Sequence, residues 1–152
     1  MPQTVSDYLA SHTVLTLATA SSSGRPHAAP TFYASDGTTI YFSVSPTSET
    51  ARNLDENPVA SIGVADVPED WTRARGLQMS GPVSPCDEAE TESAAGLFLQ
   101  RYPFLGDGAH TTPYFRFTPD EIHYVHNDEE ADEDIEALGV HWLRETVDPN
   151  QA

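Results

Sequence analysis

VLTLATASSSGRPHAAPTFYASDGTTIYFSVS, residues 14–45, is the stretch that decides the fold. TVLTLATAS (13–21) is a strand by its β-branched residues, apolar on both faces. SSGRP turns the chain, and HAAPTFYAS (27–35) runs back as a second strand. Pro30 has no amide hydrogen, so it predicts a break, a bulge or a backbone position without a partner. Asp36-Gly37 signals a tight hairpin. In TTIYFSVS (38–45), Ile40, Phe42 and Val44 point to one side and Thr39, Tyr41 and Ser43 to the other. Three consecutive antiparallel strands make a meander.

Working outward, QTVSDYLAS (3–11) puts Val5, Tyr8 and Leu9 at helical spacing. Downstream, a helix over 47–57 is stopped by Asn57-Pro58. VASIGVAD (59–66) is a fourth strand, VPEDWT a loop, and ARGLQMSGPVS (74–84) a fifth strand. Gly76 and Gly81 within it mark close backbone approach or bulging. Residues 87–101 form a helix with acids in its first turns and an inner face of Ala94, Ala95, Phe98 and Tyr102. PYFRFTP (113–119) and EIHYVHN (121–127) are two more strands. The expected fold is α+β and mainly β. It is an antiparallel barrel or curled sheet with short flanking helices, one domain over 1–152.

Asp and Glu total 24 against seven arginines and no lysine, a formal charge of −17. Such a surface repels itself in dilute buffer, and concentrated salt relieves this because screening shortens to ~3 Å at 1 M. Composition therefore predicts a salt-adapted, halophilic protein. So few cations argue against nucleic acid as a partner. No apolar run approaches the ~20 residues of a membrane span. The start, MPQTVSDYLASH, lacks the basic and apolar regions of a secretion signal, and a single cysteine rules out an internal disulfide. The expected compartment is the cytoplasm, with no membrane partner.

Most chemical motifs fail on inspection. His123 and His126 are three apart in a strand, so they face opposite sides and cannot share a metal. The acidic run DEEADEDIE (128–136), part of the acidic segment 128–138, puts Glu133 and Gly139 where a calcium loop needs Gly and Glu, so it reads as a solvated face. GLQMSG lacks the Lys-Ser/Thr of a phosphate loop. Cys86 has no evident activating base. SPTSETARNLDENP (45–58) is more informative, because Ser45, Thr47, Ser48 and Thr50 crowd a helix start. Ser45 or Ser48 would cap the helix, Glu49 suits its dipole, and the same arrangement can hold an anion.

The 14–45 meander, SETARNLDENPVASI and ARGLQMSGPV, in that order and spacing, resemble the pyridoxamine 5′-phosphate oxidase-like family, the FMN-binding split β-barrels. The resemblance covers roughly residues 13–84 and implies a homodimer with FMN at the subunit interface. It implies that Pro30, Thr31 and Phe32 lie along the flavin ring, and Ser43, Val44 and Ser45 beside the ring and ribityl chain. Ser48, Thr50 and Arg52 would meet the phosphate. Gln78 would form the far wall, and Trp142 would close the site from the partner. His27, at the start of the second strand, is a candidate neighbour of a bound substrate. The sequence departs from the family at Glu49-Thr50, where an Arg-Lys pair is usual, and Arg25 or Arg52 is left to substitute. The implied activity is a flavin-dependent oxidation or reduction of a small molecule, with no catalytic residue assigned. A deazaflavin on the same fold, or a non-catalytic flavin carrier, is the alternative.

Overall fold

The computed structural model describes residues 4–69, 74–127 and 142–152. The helices are α1 (Val5–Ser11), α2 (Glu49–Glu56), α3 (Glu88–Arg101) and α4 (Gly108–Thr111). The strands are β1 (Val14–Ala20), β2 (Pro26–Asp36), β3 (Thr39–Phe42), β4 (Val59–Ala65), β5 (Arg75–Pro85), β6 (Phe115–Phe117), β7 (Glu121–Asn127) and β8 (Trp142–Val147). The order β4-β1-β2-β3-β6-β5 closes on itself because β4 also pairs with β5. Six antiparallel strands thus form a barrel, and β7 and β8 extend from it.

Closure depends on two long strands that change partners. β5 pairs with β4 over Gly76–Pro82, with β7 over Arg75–Ser80 and with β6 over Val83–Pro85. The change from β7 to β6 falls at Gly81, where the Thr118–Asp120 link crosses. Thr118 donates its amide to the Pro82 carbonyl at 3.2 Å, and Asp120 donates to that of Ser80 at 3.0 Å. A Cβ at residue 81 would stand 2.2 Å from the Thr118 oxygen, so only glycine fits. The close approach expected at this glycine is present.

β2 pairs with β1 over Pro26–Phe32 and with β3 over Tyr33–Asp36. Tyr33 donates its amide to the Thr13 carbonyl at 3.1 Å, which fixes the alternation. Odd-numbered residues turn their backbone groups to β1, and even-numbered ones turn theirs to the opposite edge. That edge has no strand partner among the described residues until β3 begins. Pro30 lies on it, so β2 runs straight through the proline. Of the three readings of Pro30, the partnerless amide is the one realised.

Alternation fills the barrel. Leu15 and Leu17 of β1, Phe42 of β3, Ile62 of β4, and Leu77 and Met79 of β5 are all buried. β1 buries only one of its faces: Val14 and Thr16 point outward and are exposed. β3 ends at Phe42 rather than at 45, because Ser43 turns to donate its hydroxyl to the Pro113 carbonyl at 2.9 Å. Val44 still packs against the core. The sixth strand is shorter than expected, and α4, the 3-10 turn Pro103–Leu105 and β8 were not read from the sequence.

The expected inner face of α3 packs as a second cluster, with Ala94, Ala95, Phe98 and Tyr102 against Ala34 and Tyr41. Arg101 ends this helix and donates to the carbonyls of Leu9, Ala10 and Tyr33, locking α1 to the barrel. No helix among the described residues is long and apolar enough to cross a membrane.

Candidate functional site

Helix α2 lies against the β1–β2 hairpin through one polar stripe at helical spacing. Glu49 Oε2 is 3.4 Å from His27 Nδ1 on β2. Asn53 donates its amide to the Thr19 hydroxyl of β1 at 3.1 Å. Glu56 accepts the Ser22 amide at 3.1 Å, and this hydrogen bond holds its carboxyl below the usual range. The helix start is thereby fixed beside β2.

Ser48 caps α2, its Oγ accepting the Ala51 amide at 3.1 Å. Ser45 and Thr47 share a hydroxyl contact at 3.1 Å just before it. Arg52 folds back one turn and donates to the Thr47 carbonyl at 2.9 Å, which holds its guanidinium at the mouth of this loop. Thr50 is different: at 2% exposure its side chain packs inside. The accessible groups at the helix start are Ser45, Thr47, Ser48, Glu49 and Arg52.

The unpaired edge of β2 supplies the other half. The alternation gives that edge the amides of Ala28 and Phe32 and the carbonyls of Ala28, Pro30 and Phe32. The Thr31 backbone points the other way, to Leu15, and its side chain is buried. Phe32 is 62% exposed and meets Tyr102 edge-on, with ring centroids 6.0 Å apart. The proline blocks strand addition at this edge and leaves a donor–acceptor pattern that a heterocycle can match.

Gln78 stands elsewhere in the same protomer. It pairs with Gly63 of β4, which pairs with Thr16 of β1, which pairs with Pro30 of β2. Three strand spacings, roughly 14 Å, therefore separate Gln78 from Pro30 on the outer face. Gln78 lines a trough of about 360 Å³ with Thr16, Ser61, Ser80, Glu121 and His123. Glu121 and His123 hydrogen-bond to each other, and Thr146 lies 3.3 Å from the His123 Nδ1. Trp142 begins β8 opposite Asn127. The acidic run 128–136 lies outside the described residues.

Other centres carry little chemistry. No group of three or more metal-ligating side chains occurs among the described residues. Burial, reinforced by Glu90 and only partly opposed by Arg116, pushes the Cys86 thiol up to about 11. His12 bridges Asp66 at 2.7 Å and the Tyr8 carbonyl at 2.7 Å, a contact that no local pattern signals. Ser11 is 3.0 Å from the same ring, but Nδ1 faces a carbonyl and not a proton to abstract, so no nucleophile relay is assembled. The Glu49–His27 pair was also missed, since its members are 22 residues apart in sequence. The helical stripe at 49, 53 and 56 was the available signal.

A closed six-stranded antiparallel barrel with an unpaired strand edge beside a hydroxyl-lined helix start defines a split-barrel protein. The family model for pyridoxamine 5′-phosphate oxidase matches residues 1–126, and the chain belongs to the pyridoxamine 5′-phosphate oxidase-like family. No curated protein matches the sequence. Among solved structures, a heme binding protein from Mycobacterium smegmatis superposes with a TM-score of 0.71 at 19% identity. That match covers 93% of this chain but 55% of the other, so this chain spans about half of it. The heme storage protein HutZ from Vibrio cholerae gives 0.65 at 20% identity, over 74% of this chain and 85% of that one. A FAD-binding protein from Mesorhizobium loti gives 0.60 at 18%, over 75% and 86%. At these identities the likeness is one of fold.

Proposed function

We propose that the protein binds FMN and acts as a flavin-dependent oxidoreductase on a small molecule, working as a homodimer. The observation that carries this reading is the unpaired edge of β2 running toward the capped start of α2, in a chain of this family. The residues present fit such a group. The β2 edge offers the Phe32 amide and Pro30 carbonyl to the polar rim of a flat ring, with Ala28 further along. Ser45, Ser48 and Arg52 offer hydroxyls and one cation to a phosphate. The flavin, when bound, supplies the redox chemistry, and the chain orients it. Phe32 presents an apolar surface against which a substrate can stack.

The dimer is supported by the outer face of β2, β1, β4 and β5. In a chain with a net charge of −17, this face presents Phe32, Val14, Thr16, Ala18, Ser61 and Ser80, none of them charged. Acids crowd a surface that water covers, and an uncharged face of several strands suits a second copy.

The test is the visible spectrum of protein purified in concentrated salt, followed by chromatography of the released chromophore. FMN in stoichiometric yield is expected. A deazaflavin would keep the fold reading and change the cofactor. A Soret band with no flavin would favour the second reading, heme binding, for which the heme binding and heme storage proteins of like fold speak. A protein that is colourless and binds no added flavin would end the oxidoreductase reading.

A further inference from the structure

We propose that His27 is a phosphate-binding residue of this site, and that Glu49 is the positioning residue that aims it. The proposal rests on the flavin reading and explains how a chain with glutamate at that place can hold an anion. A carboxylate free in the cradle would repel a phosphate. Here Glu49 instead lies 3.4 Å from the Nδ1 of His27, both side chains partly exposed. That contact takes up one nitrogen of the ring and leaves Nε2 without a partner among the described residues. With Nδ1 turned to Glu49, a proton on Nε2 would be a donor for a phosphate oxygen. Glu49 then holds the ring in place, as a carboxylate orients a histidine in other binding sites, and the ring offers the phosphate a fixed N–H donor.

The surrounding charges allow this. Thr19, opposite His27 on β1, is neutral. From α2 come Glu49 and Arg52, whose guanidinium is held at the Thr47 carbonyl. Glu56, at the far end of the helix, is occupied by the Ser22 amide. Arg25 precedes His27 by two residues. Among the described residues only Glu49 is paired with the imidazole.

Comparing FMN with riboflavin isolates the phosphate. Both are titrated into the protein in concentrated salt, by flavin fluorescence, for wild type, His27→Gln, His27→Arg and Glu49→Gln. Losing one charge-assisted hydrogen bond should weaken FMN about tenfold in His27→Gln, with riboflavin affinity unchanged. Glu49→Gln should also weaken FMN selectively. His27→Arg, which keeps an N–H donor at this place, should retain FMN affinity. An FMN-to-riboflavin ratio unchanged in His27→Gln overturns the proposal while leaving flavin binding intact. Tighter FMN binding in Glu49→Gln would show Glu49 to be a repelling charge only, and overturns its positioning role. Failure of wild type to bind either flavin removes the flavin reading and this proposal together.

Discussion

Asn53 donates its side-chain amide to the Thr19 hydroxyl at 3.1 Å, and both residues are buried. This bond sits at the middle of the stripe that sets α2 against the β1–β2 hairpin, so it fixes where the helix start lies relative to β2. Removing either partner leaves a buried polar group unsatisfied, at about 1–3 kcal/mol. Asn53→Leu and Thr19→Val should each lower stability by about that amount in urea titrations. The double variant should cost less than the sum, and strict additivity would show that the two residues do not act as a pair.

Gly81→Ala forces a methyl against the Thr118 carbonyl, 2.2 Å from its ideal position, and backbone has to give way. A loss of roughly 1–3 kcal/mol is expected by denaturant unfolding. Gly96, with nothing within 4 Å of its Cβ position, is the control. There Ala should be neutral or stabilising, since it lies inside α3. Equal effects at both positions would refute the crossing at Gly81 as the reason for that glycine.

Ser61 and Ser80 touch through their hydroxyls at 3.1 Å on the outer face of β4 and β5. Ser61→Arg adds a long cation there without entering the core. Sedimentation velocity in concentrated salt should show dimer for wild type and monomer for the variant, with melting still cooperative. A Ser61→Arg dimer as tight as wild type would place the contact on another face.

Alkali should unfold the protein steeply. Tyr33 is pushed up to about 12 by burial, and Tyr8, Tyr41, Tyr102 and Tyr114 are also raised, each first by burial. In the unfolded chain these phenols ionise near pH 10, while the folded chain keeps their protons. Above that pH the unfolded state binds fewer protons, so stability falls as pH rises. The stability is complete below about pH 10 and is lost toward the folded values. Phenolate absorbance should therefore rise together with loss of circular dichroism, and phenolate forming first would contradict the burial.

Cys86 should alkylate slowly in the folded protein. With its thiol raised to about 11, the thiolate is scarce at pH 8. Iodoacetamide should react roughly a hundredfold more slowly than in urea-denatured chain at the same pH. Similar rates would mean that the thiol is open to solvent.

Local sequence sets the succession of β1 to β7, the inner face of α3, the family and the tight β2–β3 hairpin, whose turn falls at Gly37-Thr38, one residue on from the expected Asp36-Gly37; each is written in local periodicity or a short contiguous motif. Ser48 as the cap of α2 was legible for the same reason, since a cap is made within three residues. Tertiary structure alone decided the rest. That Thr50 is packed away while Arg52 turns to the loop depends on which side of α2 meets the barrel. That Pro30 lies on an unpaired edge depends on where β2 changes partner, a matter of how the barrel closes. β8 was missed because its only described partner, β7, lies beyond the acidic run, and six residues carry too little pattern to stand alone. Glu49 meeting His27, and Gln78 standing three strands from Pro30, follow from antiparallel register between distant segments. Local chemistry sets which elements form, and only closure of the barrel sets which side chains share a site.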